Sequence, residues 1–194
     1  MSFVSAQVTS FARRLYNTHP MIVFTRVSQP PTTMSVLKGS CHCSAVRFSL
    51  KSNTAVPYQL CFCSICRKVA GSGGGTINLG GYSDTLEVQQ GKEYISVYKA
   101  VLDRDTPKER IATSERSFCS KCSTMLWVYD KTWPELIHPF AGAIDTPLQA
   151  PKSMVCIKLN SKPDWVRLPE GEKEIYEDYG PLSLEEWHKK HNLY

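Results

Sequence analysis

A chain of 194 residues, 42% hydrophobic and 21% charged, has room for one domain with a sizeable core, and its composition excludes a fibrous or wholly disordered protein. No apolar run approaches the roughly 20 residues needed to span a bilayer, so no membrane helix is expected. The net charge of +5 comes without a strongly basic run or interleaved aromatics, which makes nucleic acid a poor candidate partner.

Residues 1–34 differ in composition from the rest. They carry Arg13, Arg14 and Arg26 but no Asp or Glu, are rich in Ser and Thr, and end near Gln29-Pro30-Pro31-Thr32-Thr33. That composition suits a mitochondrial targeting leader, whereas a secretory signal would need a compact apolar stretch and a small-residue cleavage site. The alternatives are a disordered tail, or translation that starts at Met34. A cytoplasmic, reducing location is expected, or a mitochondrial one if the leader is read as such.

The folded part is expected over residues 35–168, followed by a tail at 169–194 that carries a short helix. Gly39-Ser40-Cys41-His42-Cys43 reads as a turn. Residues 46–50 alternate apolar and polar, as a half-buried strand does. Residues 58–60 read as a strand leading into Cys61-Phe62-Cys63-Ser64-Ile65-Cys66, and 67–70 as one helical turn stopped by Gly71. Gly71-Ser72-Gly73-Gly74-Gly75 is not followed by Gly-Lys-Ser/Thr, so it is no phosphate loop; it is a flexible connection or a loop that leaves room for a substrate. Further strands are expected at 76–79, 86–89, 95–99, 125–129, 139–144, 155–159 and 165–168, with an exposed loop at 102–110. Ser183-Leu184-Glu185-Glu186 has the form of a capping box, so 184–191 should be a helix, its Trp187 packed on the domain.

The cysteines carry the chemistry. Cys61, Cys63 and Cys66 lie within six residues and cannot all pair with one another, but they are well placed to converge on one soft metal ion, for which zinc is the natural occupant. Three protein ligands leave a fourth tetrahedral position open, as in catalytic zinc sites. Buried or redox-active thiols are the plainer alternative, since a Cys-x-x-Cys alone does not exclude them. Cys41 and Cys43 with Cys119 and Cys122 make up four thiolates, enough for a closed structural site whose metal would contribute to folding. Cys156, flanked by Val155 and Ile157, reads as a free buried thiol. A disulfide framework is the rival for the whole set, and a chain of this length without a secretory signal does not need one.

The ordered set Gly39-x-Cys41-x-Cys43, Val46-x-Phe48, Cys61-x-Cys63-x-x-Cys66-Arg67-Lys68, Gly71-Ser72 and Phe118-Cys119-x-x-Cys122 resembles the glutathione-dependent formaldehyde-activating enzyme family, which also includes centromere protein V. The resemblance runs from about residue 37 to 168. It implies a mainly β fold, the zinc-containing β-tent of short antiparallel strands. It also implies a structural zinc on Cys41, Cys43, Cys119 and Cys122 and a catalytic zinc on Cys61, Cys63 and Cys66, two per chain. Two positions depart from the pattern. Phe62 stands where many members have His, and Ser123 where many have a Gly that takes a positive φ more readily.

The activity implied is that of a carbon–sulfur lyase, joining glutathione or a related thiol to formaldehyde or another small aldehyde. Zinc is redox-silent, so oxidation is not expected of it. Arg67 and Lys68, beside the central cluster, are candidates to hold a glutathione carboxylate or are simply solvated charges. Two other functions fit the same residues: a non-catalytic zinc module that binds a protein partner, and a sensor that releases metal when its thiols are oxidised.

Overall fold

The computed structural model describes residues 34–71 and 74–194. The proposed leader, apart from Met34, and Ser72-Gly73 of the glycine-rich stretch lie outside the described residues.

The fold is mainly β, as the strand-length apolar runs and frequent turn residues lead one to expect. Its first sheet has three strands: β1 (Ser35–Ser40), β2 (Arg47–Ser52) and, further along the chain, β6 (Glu87–Gln90). β1 and β2 pair antiparallel with Leu37 opposite Leu50 and Gly39 opposite Phe48. The alternation seen in the sequence here buries Phe48 and Leu50 on one face of β2.

β3 (Gln59–Cys61), β4 (Thr76–Ile77), β11 (Met154–Ile157) and β12 (Lys173–Ile175) form a second sheet in the order β12-β11-β3-β4. β11 runs parallel to both β3 and β12, and sets Ile157 opposite Cys61. Between β3 and β4 lies the helix α1 (Ser64–Val69). The third sheet is antiparallel, in the order β5 (Gly81–Tyr82), β10 (Leu136–Pro139), β9 (Met125–Tyr129), β8 (Arg110–Cys119), β7 (Ile95–Leu102). A second helix, α2 (Leu184–Lys190), ends the fold and opens with the expected reciprocal capping box of Ser183 and Glu186.

The main core lies between the β1-β2 pair and the five-stranded sheet, where Leu37, Phe48, Leu50, Leu126, Trp127 and Ile137 are buried together. Phe48 meets Trp127 edge to face at 5.0 Å, the arrangement favoured by the ring quadrupoles. Cys41 and Cys119 belong to this same cluster. Gly39 permits its closest approach, because a Cβ there would stand 2.5 Å from the Ala143 carbonyl oxygen and 2.5 Å from the Phe48 ring. The four-stranded sheet has a smaller core on each face: Val155 and Ile157 pack with Tyr58 and Trp187 on one side, Cys156 with Phe62 and Val166 on the other. Successive strand residues point to opposite faces, and Val155-Cys156-Ile157 follows that rule.

Three sequence expectations are corrected. The strand expected at 139–144 ends at Pro139, which has no N–H to continue the ladder, and Ala141–Ala143 turn as a short 3-10 segment. Residues 165–168 form no strand: Pro163 and Asp164 begin a turn closed by Val166 N–H donating to the Pro163 carbonyl at 3.1 Å, and Trp165 is 71% exposed. The sheet is completed instead by β12. Finally, 110–119 is one ten-residue strand. Its charged residues hid it, although Glu115 pairs across the ladder with Lys99 at 2.9 Å.

Candidate metal centres

The first cysteine cluster is built from two turns. Cys41 and Cys43 follow directly on β1, while Cys119 closes β8 and Cys122 sits in the turn before β9. Each turn is completed by a serine with left-handed backbone, Ser44 at φ 59° and Ser123 at φ 61°. Ser123 thus takes the conformation that glycine adopts more easily, held by its N–H donating to the Cys119 carbonyl at 2.8 Å. The turns are tied to each other by His42 N–H, which donates to Thr124 Oγ1 at 3.1 Å. His42 itself is exposed.

The four sulfurs lie within 4.8 Å of one another. Cys41 and Cys43 Sγ are 3.5 Å apart, and Cys43 and Cys119 Sγ 3.9 Å. A disulfide needs about 2.05 Å, and all eight cysteines are free. Tetrahedral zinc, with metal–sulfur bonds of about 2.3 Å, would set its sulfurs about 3.8 Å apart. The donor set therefore fits a soft divalent metal. Val46 N–H donates to Cys41 Sγ at 3.2 Å and Thr124 Oγ1 lies 3.3 Å from Cys122 Sγ. The Thr124 hydroxyl holds the Cys122 thiol down to about 5, whereas Cys43 is pushed up to about 11 and burial raises Cys119.

The second cluster gathers at one end of the four-stranded sheet. Cys61 is the last residue of β3, Cys63 is the N-cap of α1, and Cys66 lies in its first turn. Cys66 N–H donates to Cys63 Sγ at 3.3 Å, so the cap that starts the helix is itself a member of the cluster. The three sulfurs also lie within 4.8 Å of one another. Cys66 is buried and Cys61 and Cys63 are half-buried. The neighbouring sulfurs of Cys61 and Cys66 lower the Cys63 thiol, while the same proximity raises Cys61 and Cys66.

Phe62 takes no part in this cluster. It is fully buried on the opposite face of the sheet, with Cys156 and Val166. Alternation along the extended chain sends the thiols one way and the ring the other, so a histidine at this position would not automatically face the thiols. Arg67 is half-buried, with an Nε that lacks a partner, while Lys68 is exposed.

Several neighbours of this cluster carry no signal in the sequence. Asn78 follows β4, and its Oδ1 accepts from Cys66 Sγ at 3.9 Å. Lys158 comes directly after Ile157, the residue paired with Cys61. It has a left-handed backbone at φ 61°, forms an ion pair with Asp178, and places its ammonium 4.3 Å from the centre of the Tyr179 ring. Tyr179 itself is 69% exposed. Only knowledge of the parallel β3–β11 pairing would have brought these residues to the cysteines.

No helix among the described residues is long and apolar enough to cross a membrane. The family model for the glutathione-dependent formaldehyde-activating enzyme matches residues 36–158. A protein of Halomonas elongata, provisionally named as a glutathione-dependent formaldehyde-activating enzyme, is 47% identical over 159 residues, which is 81% of this chain and 98% of that one. A crystal structure of a Rhodobacter sphaeroides protein superposes with a TM-score of 0.44 at 23% identity, over 57% of this chain and 89% of that one. With the match spanning both cysteine clusters, the chain belongs to the glutathione-dependent formaldehyde-activating enzyme family.

Proposed function

We propose that this protein joins a small thiol, glutathione or a close relative, to formaldehyde or another small aldehyde, and that it does so at the three-cysteine cluster as a carbon–sulfur lyase-type enzyme. The observation that carries the proposal is the unequal make-up of the two clusters: one gathers four sulfurs and the other three. On this reading Cys41, Cys43, Cys119 and Cys122 hold a structural zinc, and Cys61, Cys63 and Cys66 hold a second one with a position left for a reactant. Zinc bound there supplies Lewis acidity and favours the deprotonated form of a thiol.

The chain's own residues would then do the following. Cys61, Cys63 and Cys66 fix the site at the junction of β3 and α1, whose backbone is pinned by the parallel ladder to β11. Phe62 and Cys156 close the far side of the sheet to water. Arg67, half-buried beside the cluster, is the better candidate to hold a glutathione carboxylate, because charge-assisted bonds from guanidinium to carboxylate are the strong ones. Lys68, on the exposed side of the helix, could add a screened attraction. In the reaction itself the thiol sulfur forms a bond to the aldehyde carbon. The C=O π pair moves to oxygen, and the thiol's proton ends on that oxygen, giving the S-hydroxymethyl adduct. The uncatalysed addition is already easy, so the protein need contribute only thiolate character and orientation. The chemistry requires reduced thiols and therefore suits a reducing compartment.

Exchange spectroscopy on equilibrated glutathione and formaldehyde tests this directly. The zinc-loaded protein is expected to raise the exchange rate above the spontaneous one at the same pH, and Arg67→Ala to raise the glutathione concentration needed for half of that effect. No rate increase at any glutathione concentration would reject the activity and move a partner-binding or redox-sensing role ahead of it.

A further inference from the structure

The carboxamide of Asn78 stands against the buried member of the three-cysteine cluster in an arrangement that changes meaning once the thiols lose their protons. Asn78 Oδ1 lies 3.9 Å from Cys66 Sγ, as acceptor of the thiol proton. Asn78 Nδ2 is buried and has no partner. Among the described residues, Asn78 is the one hydrogen-bond partner of Cys66 Sγ that lies outside the cluster. The position of the side chain is set by its backbone: Asn78 bridges to Phe140, and the next residue, Leu79, donates its N–H to the Pro139 carbonyl at 2.9 Å.

A cation-binding cysteine is a thiolate, which accepts hydrogen bonds and cannot donate them. Oδ1 facing that sulfur would then set a partial negative charge against a full one, in a place where Cys66 is only 6% exposed and water can do little to screen it. The carboxamide is nearly symmetric in shape, so a half-turn about Cβ–Cγ exchanges Oδ1 and Nδ2 without disturbing their neighbours. After the turn, Nδ2–H points at the sulfur and Oδ1 takes the place of the orphaned amide nitrogen. The exchange also replaces an unpaired buried donor with an unpaired carbonyl oxygen, the less costly of the two.

We infer that Asn78 is a positioning residue of the three-cysteine site: it donates Nδ2–H to the Cys66 thiolate and so orients and stabilises that sulfur as a ligand. This rests on the proposal that Cys61, Cys63 and Cys66 bind zinc. Hydrogen-bonded partners of metal ligands typically change metal affinity by about 10- to 100-fold when removed.

The test uses the full-length, zinc-loaded protein and three variants: Asn78→Asp, which keeps the shape but cannot donate; Asn78→Ala, which removes the group; and Asn78→Gln, which retains an amide. Zinc retention is followed by chelator competition at one fixed pH, and cobalt(II) substitution reports sulfur-to-metal charge transfer at each site. N78D and N78A are expected to weaken the more labile metal by about 10-fold or more and to shift its cobalt–thiolate band. The tightly held metal and its band should stay as in wild type, which also shows that the variant is folded. N78Q should recover part of the loss. If wild type binds only one metal, the underlying reading of the site fails. If wild type binds two and N78D and N78A keep the labile one with unchanged affinity and spectrum, the role of Asn78 is wrong. A variant that loses both metals together would mark Asn78 as a general structural residue and would likewise overturn it.

Discussion

Tyr58 and Trp187 stack face to face, with ring centres 3.5 Å apart and planes 3° from parallel. Tyr58 immediately precedes β3, the strand that delivers Cys61, and Trp187 belongs to α2 near the end of the chain. The contact closes one face of the four-stranded sheet, with Val155 and Ile157 beneath it. The C-terminal segment is thus part of the platform for the three-cysteine site.

Truncating Trp187 should therefore be costly. It is 3% exposed, and Trp→Ala in a core typically removes about 3–5 kcal/mol. Trp187→Ala is expected to lower the chemical-denaturation midpoint substantially and to loosen protection of the β3 and β11 amides in hydrogen exchange. An unchanged midpoint would show that the helix is not docked as described.

His188, beside Trp187, makes stability depend on pH. Its Nδ1–H donates to the Leu184 carbonyl at 2.7 Å, and its Nε2 accepts the Val56 N–H at 3.1 Å. Protonation at Nε2 would destroy that second bond, and burial holds the pKa below the ordinary 6.5. A depressed histidine pKa means that the unfolded chain takes up protons first, so the contribution is fully present above about 6.5 and is lost as pH falls below it, levelling off under the folded-state value. Burial lowers His138 in the same direction. Melts from pH 7.5 down to 5.5 should show falling stability, and His188→Gln should flatten part of the slope. Zinc content measured in the same samples distinguishes this from protonation of the thiols.

Residues 1–33 should be dispensable for folding and for metal binding. β1 begins at Ser35, and the family match begins at residue 36. A chain that starts at Met34 is expected to keep the melting temperature and zinc content of the full-length protein. A fall of several degrees would assign the leader a structural role.

The sequence showed these features unevenly, for physical reasons. The grouping of seven cysteines into four and three was legible because short spacings constrain where thiols can go: Cys61, Cys63 and Cys66 meet through one strand end and one helical turn. The cap of α2 was legible because Ser183 and Glu186 satisfy each other locally. The burial of Cys156 was legible from its apolar neighbours Val155 and Ile157, which mark a strand covered on both faces. Non-local pairings were not legible. β11 lies parallel to β3 through a long connection, and nothing in the sequence of either strand names its partner, so Lys158, Asp178 and Tyr179 could not be placed near the thiols. β8 was hidden because Arg116, buried in mid-strand, is a charged residue in a place where charge usually signals solvent. Asn78 was hidden because a single polar residue after a short strand is an ordinary turn former.

The central claim is that the four-cysteine cluster is a closed metal site and the three-cysteine cluster an open one. Elemental analysis of freshly reduced protein, combined with thermal melts, tests it most directly. Wild type is predicted to carry two zinc ions per chain, one of them lost first to a chelator. Cys63→Ser should carry one zinc and melt close to wild type, because the closed site keeps all four of its sulfurs. Cys119→Ser should melt far lower, since structural zinc contributes on the order of 10 kcal/mol to small modules. A wild type with one zinc or none, or two variants that are equally destabilised, would contradict the account.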